Sequence, residues 1–146
     1  MKIRAARPED LDAINDLLTE NALPASDTTT ELLQDFSVVE DDGGLVVGSI
    51  GLERYGADAL LRSLTVSQTS RNAGLGGRLL AHAEDLAREK GISELWLLTT
   101  TAPDFFRRKG YVDVERGTAP TELQATTQFA QLCPASAVCM RKIISR

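Results

Sequence analysis

The stretch Leu60-Leu61-Arg62-Ser63-Leu64-Thr65-Val66, continued by Ser67 to Ser70 and then by Arg71-Asn72-Ala73-Gly74-Leu75-Gly76-Gly77-Arg78, decides how this chain is read. It places a glycine-rich loop between a strand and the start of a long helix. The first amides of a helix have no partner inside it and point outward. Together with the helix dipole they make a ready anion site. Gly74 and Gly76 carry no side chain, so a phosphate can approach the backbone closely, and Arg71 and Arg78 add positive charge where a diphosphate would lie. The residues themselves point to a phosphate-bearing ligand. The loop lacks Gly-Lys-Ser or Gly-Lys-Thr, which leaves a nucleoside triphosphatase unsupported. It is also not the Gly-x-Gly-x-x-Gly of a first Rossmann strand. A glycine-rich helix start with packing value only is the competing reading.

Working outward, strand-like and helix-like segments alternate. Ile3 to Arg7 reads as a short strand, and Pro8 opens a helix with Glu9 and Asp10 in its first turn, where negative charge suits the dipole. Leu11, Ile14, Leu17 and Leu18 give that helix one apolar stripe. After a break over Asn21 to Pro24, Asp27 is placed to cap a second short helix through about Gln34. Phe36 to Glu40 reads as a strand, and Asp41-Asp42-Gly43-Gly44 as a tight hairpin turn into Leu45 to Arg54. Gly48 and Gly51 within that strand point to a bulge or a close backbone approach. Gly56-Ala57-Asp58 turns the chain into Ala59 to Val66, the third strand of an antiparallel meander.

Beyond the loop, Leu75, Leu79, Leu80, Ala83, Leu86 and Ala87 recur at helical spacing, ending near Lys90-Gly91. Leu95 to Leu98 is a near-continuous apolar run, as expected of a strand buried on both faces. Ala102 to Lys109 reads as a short helix stopped by Gly110, with Tyr111 to Val114 and Val138 to Lys142 as further strands. Thr121 to Leu132 reads as either a helix or an ordered loop. A strand–helix–strand unit joined to meander strands implies a mixed α/β sheet in one domain over residues 1–146.

Composition excludes several classes of function. Sixteen Lys and Arg against 21 Asp and Glu give a net charge of −5, which disfavours broad binding to a nucleic-acid backbone or an anionic membrane. No apolar run approaches the length of a transmembrane helix, and Met1 to Pro8 lacks the apolar stretch of a secretory signal, so a cytoplasmic protein is expected. Cys133 and Cys139 make neither a disulfide framework nor a zinc pattern, and are expected as simple core residues. His82 is the only histidine and is expected on a helix flank, so neither a metal site nor a His-dependent triad is expected.

The loop and its surroundings resemble the GNAT superfamily of acyl-CoA-dependent N-acetyltransferases. The family's phosphate loop, Arg/Gln-x-x-Gly-x-Gly/Ala, is matched by Arg71, Gly74 and Gly76, and its preceding Leu-x-Val by Leu64-Thr65-Val66. Ala102 to Tyr111 resembles a later family helix, and Ile3-Arg4-x-Ala6-x-x-x-Asp10 the usual start, so the resemblance runs from residue 2 to about residue 142. It implies a mixed, mostly antiparallel central sheet with a splayed parallel strand pair and helices on both faces. It also implies acetyl-CoA as cosubstrate. Pantetheine would pair with backbone of Leu64, Thr65 and Val66, and the diphosphate would be held by Arg71, Asn72, Ala73, Gly74, Leu75, Gly76, Gly77 and Arg78. Direct attack of an amine on the thioester is implied, with an amide such as that of Leu64 steadying the oxyanion.

The departures are equally informative. The family's tyrosine acid falls at Phe106, which has no proton to give, and its pantetheine-contacting asparagine falls at Thr99, where Thr99, Thr100 or Thr101 would supply a polar contact. Glu53 is the preferred general base, acting through water, with a solvated strand-end charge as the alternative. Arg54 and Arg62 are candidates to grip a substrate carboxylate, or are surface residues. The C-terminal segment from Thr126 to Met140 resembles, more loosely, GNAT members that act on amino acids, which implies an amino acid or similar small amine as acceptor. A non-catalytic acyl-CoA sensor and a protein acetyltransferase are the competing functions. Exposed edge strands leave a homodimer open.

Overall fold

The computed structural model describes residues 1–23, 28–68, 74–100, 102–126 and 136–144. The expected Asp27 cap, Arg71, Asn72, Ala73, Thr101, Cys133 and the segment 127–132 lie outside the described residues.

Strand β1 (Lys2–Ala5) is shorter than its pattern predicted, because the chain is already turning at Pro8. Pro8–Asp10 form a 3-10 turn and helix α1 follows as Leu11–Glu20. Asp10 closes this entry. Its carboxylate accepts from the Arg7 amide at 2.7 Å and from both terminal nitrogens of Arg4 at 2.8 and 3.0 Å. The next helical turn is a 3-10 turn at Leu32–Asp35, where the Thr29 hydroxyl accepts from the Leu32 amide at 3.4 Å.

Strands β2 (Phe36–Glu40), β3 (Val46–Tyr55) and β4 (Asp58–Val66) form the expected meander. Gly44 supplies a φ of +83° at the β2–β3 turn, where a side chain would be strained. The register steps from Val39↔Gly48 to Glu40↔Val46, so Val47 is an extra residue, a bulge in β3. The close approach expected at the strand glycines also occurs, since a Cβ on Gly51 would collide with the Phe36 ring. Helix α2 (Leu75–Glu89) then leads to β5 (Glu94–Thr99), α3 (Pro103–Arg108), β6 (Val112–Val114), α4 (Thr121–Gln124) and β7 (Val138–Ile143). The sheet order is β1-β2-β3-β4-β5-β7-β6, with β4 and β5 parallel and the remaining pairs antiparallel. Of the segment that read as helix or loop, Thr121–Gln124 is helical.

Two compact units make up the chain, Met1–Glu53 with Arg62–Leu86, and Arg54–Leu61 with Ala87–Arg146. In the first, Ile14 and Leu18 of α1 pack with Leu33, Phe36 and Val38. In the second, Leu60, Trp96, Ala119, Leu123 and Cys139 form the core, with Tyr55, Leu98 and Val114 against it. Strands β3 and β4 and helix α2 each belong partly to both units. Among the described residues no helix is long and apolar enough to cross a membrane.

Candidate active site

Strand β4 changes character at its middle. Its parallel pairing with β5 comprises Asp58↔Glu94, Ala59↔Leu95 and Leu60↔Trp96. Three residues on, Ser63 has a φ of +60°, a left-handed conformation that residues with a side chain adopt at a cost of about 1–2 kcal/mol. A left-handed residue inside a strand breaks its extended geometry locally, as at a bulge. Two contacts hold Ser63. The Ser49 hydroxyl donates to its carbonyl at 2.8 Å, and Arg62 Nε donates to its hydroxyl at 3.1 Å.

Past the bulge, β4 regains regular alternation. The Thr65 carbonyl lies on the β3 side, where a Cβ on Gly48 would come within 3.2 Å of it, and the Ser67 amide donates to the Val47 carbonyl at 2.7 Å. Alternate residues of a strand present their amides and carbonyls to opposite edges. Leu64 and Val66 therefore turn theirs to the edge away from β3, and both are only partly buried.

Glu53 and Arg62 meet in the interior. Arg62 Nη1 donates to Glu53 Oε1 at 2.5 Å, with the two side chains 1% and 9% exposed. Arg62 Nη2 reaches the Thr28 hydroxyl at 3.3 Å, and the guanidinium lies 5.9 Å from the centre of the Phe36 ring. Glu53 is thus not a solvated strand-end charge, and Arg62 is not a surface residue; Arg54 is the exposed member of the arginine pair. The Thr65 hydroxyl is drawn to the end of α1, where it accepts from Asn21 Nδ2 at 2.7 Å, while Asn21 also donates to the Leu17 carbonyl at 2.9 Å. Ser63 and Thr65 therefore answer to different partners rather than sharing one.

Where the glycine-rich loop enters α2, Gly74 is exposed with φ +71° and open space around its Cβ position. The Arg78 amide bonds the Gly74 carbonyl at 3.2 Å, within the first turn of α2. Leu75 anchors the helix start in the core, Gly76 and Gly77 are half-buried, and Arg78 is exposed. Gly74 thus stands at the start of α2, where the sequence places the glycine-rich loop.

In the second unit, the buried Thr99 hydroxyl accepts from the Ala102 amide at 3.1 Å and closes the turn into α3. Phe106 is buried edge-on between Phe105 and Tyr111, with ring centres 5.1 and 5.6 Å away. Cys139 is buried in the core and burial pushes its thiol up, which suits a packing residue and not a nucleophile.

Residues 33–113 match the acetyltransferase (GNAT) domain. The chain belongs to the GNAT family. An uncharacterized N-acetyltransferase of Chlorobaculum tepidum is 35% identical over 94 residues, covering 64% of this chain and 59% of that protein. An amino-acid acetyltransferase of Aeromonas salmonicida is 30% identical over 129 residues, covering 83% of this chain and 29% of that protein. The chain therefore spans less than two thirds of the length of either relative. Among solved structures, N-acetylglutamate synthase from Neisseria gonorrhoeae, complexed with coenzyme A and N-acetylglutamate, superposes with a TM-score of 0.85 at 27% identity. That match covers 99% of this chain and 35% of the synthase.

Three residues of this GNAT domain escaped the sequence reading: Ser49, Thr28 and Asn21. Ser49 is a lone hydroxyl in an apolar strand, fully buried, and a buried hydroxyl needs a partner. That need was the available signal. Asn21 stood at a visible helix end, but nothing local pairs it with Thr65, 44 positions away.

Proposed function

We propose that this GNAT domain transfers the acetyl group of acetyl-CoA to the amine of a small molecule, an amino acid or close analogue, by direct attack. The observation that carries this is the second half of β4, where Leu64 and Val66 turn their backbone away from β3 and, among the described residues, pairing with β5 reaches only to Leu60↔Trp96, with the glycine-rich start of α2 next in element order. The acyl donor is bound in two parts. Pantetheine amides pair with Leu64 and Val66, and the diphosphate takes the amides of residues 71–77 with charge from Arg71 and Arg78. The Leu64 N–H donates to the thioester oxygen as negative charge develops there. Holding amine and thioester together supplies much of the acceleration.

Glu53, joined to the bulge through Arg62, is the carboxylate we assign to taking the amine's proton through water. Of the two arginines considered for a substrate carboxylate, the exposed Arg54 fits better, because Arg62 directs its donors inward to Glu53, Thr28 and Ser63. Acceptors named for the relatives support an amino acid. Release of free CoA from acetyl-CoA, measured against amino acids and their decarboxylated amines, tests the reading. Amino acids should show the higher kcat/KM; preference for the plain amine or for a peptide would overturn this acceptor class. Phe106, in place of a phenolic acid, favours a second reading, acyl-CoA binding without transfer. Binding of acetyl-CoA with no CoA release across the panel would establish it.

A further inference from the structure

The carbonyl of Ser63 and the amide of Leu64 are the two ends of one planar peptide unit, and in a trans peptide they point in opposite directions. Whatever grips the Ser63 carbonyl therefore aims the Leu64 N–H. That grip is the Ser49 hydroxyl, at 2.8 Å. Ser49 is fully buried on β3, and among the described residues the Ser63 carbonyl is its single hydrogen-bond partner. We propose that Ser49 is a positioning residue for acyl transfer, holding the Ser63–Leu64 peptide so that the Leu64 amide points at the thioester oxygen.

The inference rests on the acetyltransferase reading above and adds to it a residue that never touches substrate. Its physical basis is the bulge itself. Ser63 sits in β4 at φ +60°, and its carbonyl accepts from a side chain, the Ser49 hydroxyl of β3. Without it, the peptide beyond a strained residue is free to rotate. Arg62 cannot substitute, because its contact at 3.1 Å is with the Ser63 hydroxyl and fixes the residue's side chain rather than the plane that follows. A carbonyl that accepts a hydrogen bond also strengthens the N–H of the same peptide as a donor.

The test uses Ser49→Ala and Ser49→Thr, with folding checked by circular dichroism, and acetyl-CoA labelled with carbon-13 at the acetyl carbonyl. In the native protein the infrared band of the bound carbonyl should lie below that of free acetyl-CoA, because an accepted hydrogen bond weakens the C=O bond. In Ser49→Ala the band should move back toward the free position. Turnover should fall by about tenfold or more, short of the roughly 10²–10³-fold seen when an oxyanion donor is removed outright. The KM for acetyl-CoA should change far less than turnover, since the hydrogen bond strengthens as charge develops on the oxygen, and the affinity for CoA, which lacks the acetyl group, should stay within about twofold. Ser49→Thr should restore both band and turnover. If Ser49→Ala does not fold, Ser49→Cys, a weak donor of similar size, should give an intermediate band. A native band and native turnover in folded Ser49→Ala would sink the proposal alone. Failure of the native protein to bind acetyl-CoA would overturn the functional reading and this inference with it.

Discussion

The two halves of strand β4 share a direction and little else. Ala59, Leu60 and Leu61 are buried aliphatic residues, and the first part of the strand is paired in parallel with β5 by backbone alone. Arg62 to Val66 include a buried guanidinium, a left-handed serine and a threonine tied to a helix end. Side chains hold Ser63, Ser49 at its carbonyl and Arg62 at its hydroxyl. The contrast has a single cause. Where a strand leaves its ladder, the backbone groups it abandons must be paired by something else, so polar side chains gather there. The same departure exposes amides and carbonyls that a ligand can use.

The largest effect expected from breaking this contrast is at Arg62. Leu60→Ala in the first half should cost about 2–5 kcal/mol by opening a cavity. Arg62→Ala should cost about 3–5 kcal/mol, because it leaves the Glu53 carboxylate buried without its cation. Denaturant unfolding reads both. The paired replacement Arg62→Met with Glu53→Leu should recover most of the stability while acetyl transfer stays impaired, since the bulge loses its Arg62 contact. Full activity in that folded double variant would place the pair outside the catalytic machinery.

A buried-charge cluster at the other end of the first unit sharpens the comparison as a control. Asp10 and Arg4 are 8% and 11% exposed and doubly bonded, tying β1 to the entry into α1, while Arg4 Nε also pairs with Glu40 of β2 at 2.9 Å. The Arg4 hydrogen bonds hold the Asp10 carboxyl below its ordinary value of 3.8, against the opposing effect of burial. A depressed carboxyl stabilises the fold above its unfolded value, and that contribution is lost as pH falls through the folded value. Asp10→Asn should therefore be about 1.5–3 kcal/mol less stable than the native protein at neutral pH. The gap should begin to narrow below about pH 4 and close as Asp10 itself protonates. Turnover should be unchanged. A gap that widens on acidification would reverse the assignment.

Much of this was legible from the amino acids, and what was not has a common physical origin. Helix α2 and strand β5 follow from apolar spacing, because local patterns determine them. The bulge was hidden, since a left-handed turn is ordinarily signalled by Gly or Asn and here falls on Ser63. Its supports come from other strands, Ser49 14 positions away and Glu53, through Arg62, nine. For the same reason Glu53, which reads as a general base or a strand-end charge, and Arg62, which reads as a substrate-carboxylate grip or a surface residue, do not read as a pair in the sequence. Each is intelligible only once β3 and β4 lie side by side.

A smaller effect is expected where β4 hands over to the loop. If the diphosphate is bound by amides, bulk should matter more than charge. Gly74→Val both strains a φ of +71° and fills the space in front of the α2 amides. CoA affinity should fall by well over tenfold, against about 1–2 kcal/mol for the loss of one phosphate-binding charge in Arg71→Ala. Calorimetry with CoA decides it. Equal losses, or none in a folded Gly74→Val protein, would detach the loop from the diphosphate.

The smallest effect concerns the residue with no proton to give. Phe106 is packed between two rings, so its contribution to an acyl-CoA reaction is shape. Phe106→Ala should raise the KM for acetyl-CoA more than it lowers kcat. A thiol with pKa near ~8.5 leaves tolerably well around neutrality, so water, or the ammonium formed as the amine attacks, can protonate the thiolate. General-acid help typically contributes about 10²–10⁴-fold, and its absence slows transfer without abolishing it. Phe106→Tyr should accordingly be tolerated, with turnover unchanged or raised, depending on whether the phenol reaches the sulfur. The native pH–rate profile should rise with deprotonation of the attacking amine and then level off. It should show no descending limb near the ordinary tyrosine value of about 10, and Phe106→Tyr should introduce one if the new phenol acts as the acid. A native profile that already falls there, and no longer does so in Tyr111→Phe, would identify the buried Tyr111 as the acid and give the second unit a catalytic part in place of a packing one.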